Sequence, residues 1–155
     1  VIVISDEDER SVGGNASLST LQYKPLEALN QPASFPKTVK DTFGIKRRAL
    51  MPLSDAARVL ILSHAVKSIS NTPERFEKLA ELEPHNKELY LACSYSYRVL
   101  LKFRTKQGLL HNDSGQYIAL GDLTKLEKIK LKSTFKTIKE IQEIISIRFN
   151  PSNIL

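Results

Sequence analysis

Five of the six lysines between residues 125 and 139 form the densest binding candidate in the chain: Lys125, Lys128, Lys132, Lys136 and Lys139, spaced three or four apart. On a helix that spacing lines them along one face, where they could dock phosphates or carboxylates. Glu127, Glu140 and Glu143 lie off the line. Nucleic-acid binding would add interleaved aromatics or arginines able to read bases, and this face carries neither. A solvated helix face is the better reading of the pattern, and among functional readings an acidic partner surface fits better than nucleic acid. Asp55 and Arg58 stand one helical turn apart, the spacing of an internal pair, or of an Asp at a helix start with an Arg bonded to nearby loop carbonyls. Asp6 and Asp8 resemble a metal-binding carboxylate pair, but no third carboxylate on a following strand is evident, so a solvated acidic terminus accounts for them. His64, His85 and Cys93 offer no pair with metal-ligand spacing, and no metal site is expected. Ser54 has no histidine and acid arranged as a triad, and there is no phosphate-binding glycine loop. No residue is assigned a catalytic role.

These side chains must be positioned by helices. Residues 43–62, FGIKRRALMPLSDAARVLIL, run from a basic approach, Lys46-Arg47-Arg48, into an almost continuously apolar stretch. Pro52 opposes a helix continuing from upstream, Ser54 can cap one, and Asp55 favours the positive end of its dipole. A helix is thus expected from Ser54 to about Lys67, apolar on nearly every side and central to a bundle. Asn71-Thr72-Pro73-Glu74 starts a second, with Phe76, Leu79, Ala80 and Leu82 on its apolar face and Glu83-Pro84 at its end. A third runs from Asn86 to about His111, with a core stripe from Leu89 to Leu110 and Tyr90, Tyr97 and Arg104 on a neighbouring stripe. Asn112-Asp113-Ser114-Gly115 is a turn, and residues 117–120 could be extended. Thr124 caps the last helix, which buries Leu131, Phe135, Ile138, Ile141 or Gln142, Ile145 and Phe149 and stops at Asn150-Pro151. The expected fold is all-α, a four-helix up-and-down bundle with an irregular N-terminal segment.

At 155 residues, with 41% hydrophobic and 26% charged residues, the chain has the make-up of a soluble globular domain. One cysteine excludes an internal disulfide framework and suits a reducing cytosol. No apolar run approaches the roughly 20 residues of a membrane span, and VIVIS is too short for a signal-peptide core. Residues 1–42 read as an irregular segment or linker from an upstream domain, and residues 43–150 as the helical domain. The chain is expected to be a piece of a cytoplasmic protein. The formal charge of +6 is moderate and names no partner by itself.

IKRRALMPLSDAARVLIL resembles the entry motif of the nucleotidyltransferase substrate-binding domain family. The similarity continues through Asn71-Thr72-Pro73-Glu74-Arg75, through Tyr97 to Arg104, and through Leu123-Thr124-Lys125-Leu126-Glu127, covering roughly Leu21 to Phe149. These helical domains lie at the C-terminal end of bacterial signalling proteins, following a nucleotidyltransferase domain related to the PII uridylyltransferases, often with CBS or cyclic-nucleotide-binding modules upstream. The resemblance implies a non-catalytic substrate-binding or regulatory domain in signal transduction. Its partners would be the upstream nucleotidyltransferase domain and an acidic protein acceptor, with a homodimer as a further expected assembly. A nucleoside triphosphate and Mg²⁺ would belong to the parent protein, with no cofactor in this domain. On the same grounds Arg58, with Arg47 and Arg48, would face the nucleotidyltransferase cleft and hold a phosphate or acceptor, and Arg98 and Arg104 could join them. The Gly-Ser turn of a nucleotidyltransferase site precedes its carboxylate pair, whereas here Gly13-Gly14 follow Asp6 and Asp8. Family members often carry Arg-x-x-His-Gln around Arg104; here Lys106-Gln107 follow Thr105, so no histidine role transfers. Arg104 and His111 also match the loose Arg-x6-His signature of helical ribonucleases, which keeps a ribonuclease as one alternative. A protein- or nucleic-acid-interaction module using the lysine line is the other.

Overall fold

The structure, a computed structural model, describes residues 42–150. Asp6, Asp8 and the rest of residues 1–41 lie outside them. In chain order the elements are β1 (Thr42–Gly44), a π turn (Lys46–Leu50), α1 (Met51–Ser63), α2 (Thr72–Leu82), a 3-10 turn (Pro84–Asn86), α3 (Lys87–His111), β2 (Tyr117–Ala119), a second 3-10 turn (Leu120–Asp122) and α4 (Lys125–Arg148). The fold is an all-α bundle of four helices with one small two-stranded sheet. Packing runs α1 to α2, α2 to α3, α3 to α4 and α4 back to α1, which closes a ring. Leu53, Leu60, Phe76, Leu79, Leu100, Leu131, Ile138 and Ile141 fill its centre and are fully buried. No helix among the described residues is long and apolar enough to cross a membrane.

The four-residue connection between α2 and α3 reverses the chain, and Lys106 near the end of α3 bonds Glu127 near the start of α4, so α4 reverses it again. Helix α1 differs. Thr72 Oγ1 at the start of α2 donates to Ser54 Oγ near the start of α1, at 3.3 Å. At the other end His64 and Glu83 meet at 2.9 Å. With starts together and ends together, α1 and α2 run parallel. The α1–α2 connection, residues 64–71, spans about 26 Å when extended, ample to return along a helix segment of about 15 Å. As expected for a helix apolar on nearly every side, α1 is buried from Pro52 to Ala57, and it leaves Leu62 and Ser63 exposed at its end.

The start of α1 departs from expectation. Helical backbone is already present at Ile45, and a π turn over Lys46–Leu50 leads into Met51 and Pro52. A proline inside an α-helix loses one bond and crowds the carbonyl one turn back. Here the wider turn, in which Met51 N–H bonds to Lys46 O, relieves that crowding. Ser54 is consequently buried inside the helix and does not cap it.

The other caps follow local chemistry. Asn71 accepts from Glu74 N–H at 2.9 Å, and Thr124 and Glu127 form a reciprocal capping box. Helix α3 ends on Asn112, held left-handed at φ 52°. The loop beyond it folds back: a Cβ on Gly115, where φ is +66°, would lie 1.9 Å from Arg104 O. β2 then pairs antiparallel with β1, Phe43 opposite Ile118 and Gly44 opposite Tyr117. Two expected core positions are instead exposed: Leu82 (39%) and Leu110 (59%) sit at helix ends beyond the packed layers. Tyr90, Tyr97 and Arg104 go the other way and are buried. On α4, Leu131, Phe135, Ile138, Ile141 and Ile145 are buried as the periodicity requires, with Phe149 partly so.

Candidate functional site

The π turn turns Arg47 and Arg48 outward while burying Ala49 and Leu50. Arg48 lies over the Phe43 ring, its guanidinium carbon 6.0 Å from the centroid, within cation–π range. Phe43 in turn meets Phe135 of α4 edge-on at 5.7 Å. The arginines of the entry and the lysines of α4 thus border the same seam. Lys125, Lys132, Lys136 and Lys139 are exposed and Lys128 is half-buried.

Two turns into α1, Arg58 Nη1 stands 3.4 Å from Asp55 Oδ1. Asp55 is buried, while a quarter of the Arg58 side chain stays exposed. Arg98 lies elsewhere, on the α2–α3 seam, where Nη1 donates to Glu77 Oε1 and to Ser94 Oγ, both at 2.7 Å. The bond to Glu77 holds that carboxyl below its usual range. Arg104 is buried, and its Nε donates to Ser114 O at 3.2 Å. The arginines are therefore divided: Arg47 and Arg48 at the entry, Arg58 on α1, Arg98 on the α2–α3 seam and Arg104 inside. His111 sits on the surface, 2.8 Å from Asp122 Oδ2. A phosphate steadied by Arg104 would have to reach a residue that is only 8% exposed.

Two buried features lie outside the sequence-based candidates. Gln107, one turn beyond Arg104 on α3, is wholly buried, and neither of its amide atoms has a hydrogen-bond partner; Arg104 Nη1 likewise has none. The second is centred on Glu83, which joins three helices. Arg148 donates through Nη1 to Oε2 at 3.0 Å and through Nη2 to Oε1. His64 Nε2 lies 2.9 Å from Oε2, and His85 Nε2 lies 3.8 Å from Oε1. The Arg148 bonds outweigh desolvation and hold the Glu83 carboxyl down at about 2. Tyr90 is buried nearby, and burial pushes its hydroxyl up to about 12. Histidines that stand alone in sequence thus share one carboxylate. The signal available in sequence is an acid where only a helix stop is needed.

Among the described residues no group of three or more His, Cys, Asp or Glu side chains could hold a metal ion. Cys93 is buried, and desolvation pushes its thiol well above the ordinary range. Lys106 of α3 bonds Glu127 of α4 and lowers that carboxyl, adding to the cap.

A family model described as "Putative nucleotidyltransferase substrate binding domain" matches residues 20–149. The match includes every helix of the bundle and begins inside the segment before it. No curated protein and no solved structure matches the chain.

Proposed function

The chain belongs to the nucleotidyltransferase substrate-binding domain family, and from that membership we propose that it presents a substrate to a nucleotidyltransferase domain of the same protein. The family match over residues 20–149 carries this reading. Chemistry is supplied by the catalytic partner, which takes the nucleoside triphosphate and Mg²⁺, and the bundle holds or regulates access of the acceptor. The parent is a cytoplasmic bacterial signal-transduction protein, and the acceptor is an acidic protein. Exposed Arg47 and Arg48 beside the α4 lysines support a role in meeting negative charge. Arg58 keeps a quarter of its side chain exposed beside Asp55, which supports a share in the same role from α1.

Thermal stability followed during titration with nucleoside triphosphate and Mg²⁺ tests this assignment, using this chain alone and joined to its natural upstream sequence. A ligand that binds the folded state raises its stability by mass action, with or without turnover. The expected result is a response only when the nucleotidyltransferase domain is joined. Equal stabilisation of this chain alone would place a nucleotide pocket in the bundle and overturn the division of labour.

A further inference from the structure

We propose that the π turn and the lysine line of α4 form one continuous face that binds an acidic helix or strand of a protein partner. Residues 47–48 and 125–139 are far apart in sequence, and the tertiary structure joins them. Arg48 rests on Phe43, and Phe43 rests on Phe135. Lys132 and Lys139 stand three before and four after Phe135, so they share its side of α4. Glu127 lies at the α3 side instead, bonded to Lys106. None of the five lysines makes an ion pair among the described residues.

An exposed aromatic stands beside Arg47, the neighbour of Arg48 in the π turn. Tyr117 is 68% exposed and pairs with Gly44 across the small sheet. A Cβ on Gly44 would touch both the Tyr117 ring, at 3.7 Å, and Arg47 Cβ, at 4.0 Å. Tyrosine and arginine side by side match the residues that dominate protein–protein contacts, and the α4 lysines reached through Arg48 would supply a charged rim. One aromatic cannot stack successive bases, and along the α4 line the cations are lysines, point charges with no base-reading fork, the two arginines standing only in the π turn, which disfavours nucleic acid.

Two other occupants fit less well. A second copy meeting this face through a two-fold axis would bring the same cations against themselves. The chain's own acidic run, Asp6-Glu7-Asp8-Glu9, extends over only about 13 Å. The lysine line from 125 to 139 is about 21 Å long, so a partner segment of that length is required. This proposal deepens the acidic-acceptor reading and rests on it only for the identity of the partner.

A fluorescent glutamate-rich peptide of about 20 residues, long enough to run the lysine line as a helix or strand, is the probe, with anisotropy measured on the full chain. Binding should weaken about tenfold or more between low and physiological salt. Lys132→Glu combined with Lys139→Glu should abolish most of it. Lys130→Glu, exposed on α4 but off the line, should change it less than about twofold. Equal losses from the on-line and off-line variants would show non-specific attraction and overturn the proposal. Tighter binding of a DNA duplex of equal charge would replace the protein partner with nucleic acid. A large gain in peptide affinity on removing residues 1–14 would assign the face to the chain's own acidic run. Nucleotide titration failing on the longer chain would remove the catalytic partnership and leave these results unaffected.

Discussion

Arg148 and Glu83, 65 positions apart in sequence, form a two-point ion pair at one end of the bundle, with Nη1 3.0 Å from Oε2. The pair fastens the end of α4 to the end of α2, and His64 brings the end of α1 to the same carboxylate. The Glu83 side chain is only 7% exposed. A charge so enclosed becomes a liability if its partner is removed.

Arg148→Met should therefore destabilise the chain by about 2–4 kcal/mol, because Glu83 is left buried with weaker partners. Glu83→Gln together with Arg148→Met should cost less than the sum of the two single changes, since they act on one interaction. Urea unfolding of the four proteins measures both quantities. Additive losses would mean that the pair contributes no coupling.

Acid should weaken the fold through the same carboxylate. Its folded value, about 2, is depressed from the usual 4.5, so the unfolded chain takes up the proton first as pH falls. The stabilisation is complete above about pH 4.5 and is lost as pH falls toward 2, on the order of 2–3 kcal/mol in all. Unfolding free energy followed from pH 6 to pH 2 should show this slope in the wild type and a shallower one in Glu83→Gln. Identical slopes would remove Glu83 as the acid-sensitive group.

Gly115→Ala should cost roughly 3 kcal/mol or more. The backbone there is left-handed, and the added Cβ would meet Arg104 O at 1.9 Å. The loop must then lift from α3, taking β2 and its pairing to β1 with it. A melting temperature within about 2 °C of wild type would show that this loop does not pack tightly against α3 in solution.

Gln107→Leu tests the unpaired amide. Because neither polar atom has a partner, replacing it with an apolar side chain of similar size should be neutral or stabilise by up to about 1 kcal/mol. Loss of more than about 1 kcal/mol on urea unfolding would show instead that the amide is bonded in solution, for example through an internal water.

Local chemistry is legible in the amino-acid sequence alone. The Asn71 and Thr124 caps, the period of Leu131, Phe135, Ile138 and Ile145, and the Asn112–Gly115 turn are each decided by residues within a few positions of one another. Their physics does not need the rest of the chain. The same is true of the Asp55–Arg58 pair and of the alignment of the α4 lysines. The family resemblance rests on such local motifs in sequence order, and the family match covers the same stretch.

What local pattern could not supply is where separate elements meet. Pro52 is compatible with a helix start or with a π turn, and burial of Ile45, Ala49 and Leu50 selects the turn. The parallel course of α1 and α2 depends on an eight-residue connection long enough to permit either direction, so packing makes the choice. Glu83 ends α2 by sequence, yet its partners come from α1 and α4. Arg48 and α4 are linked only because Phe43 and Phe135 meet between their elements. Helix and turn preferences are short-range and written in neighbouring residues, whereas pairings over long sequence separations arise only when burial brings distant segments together.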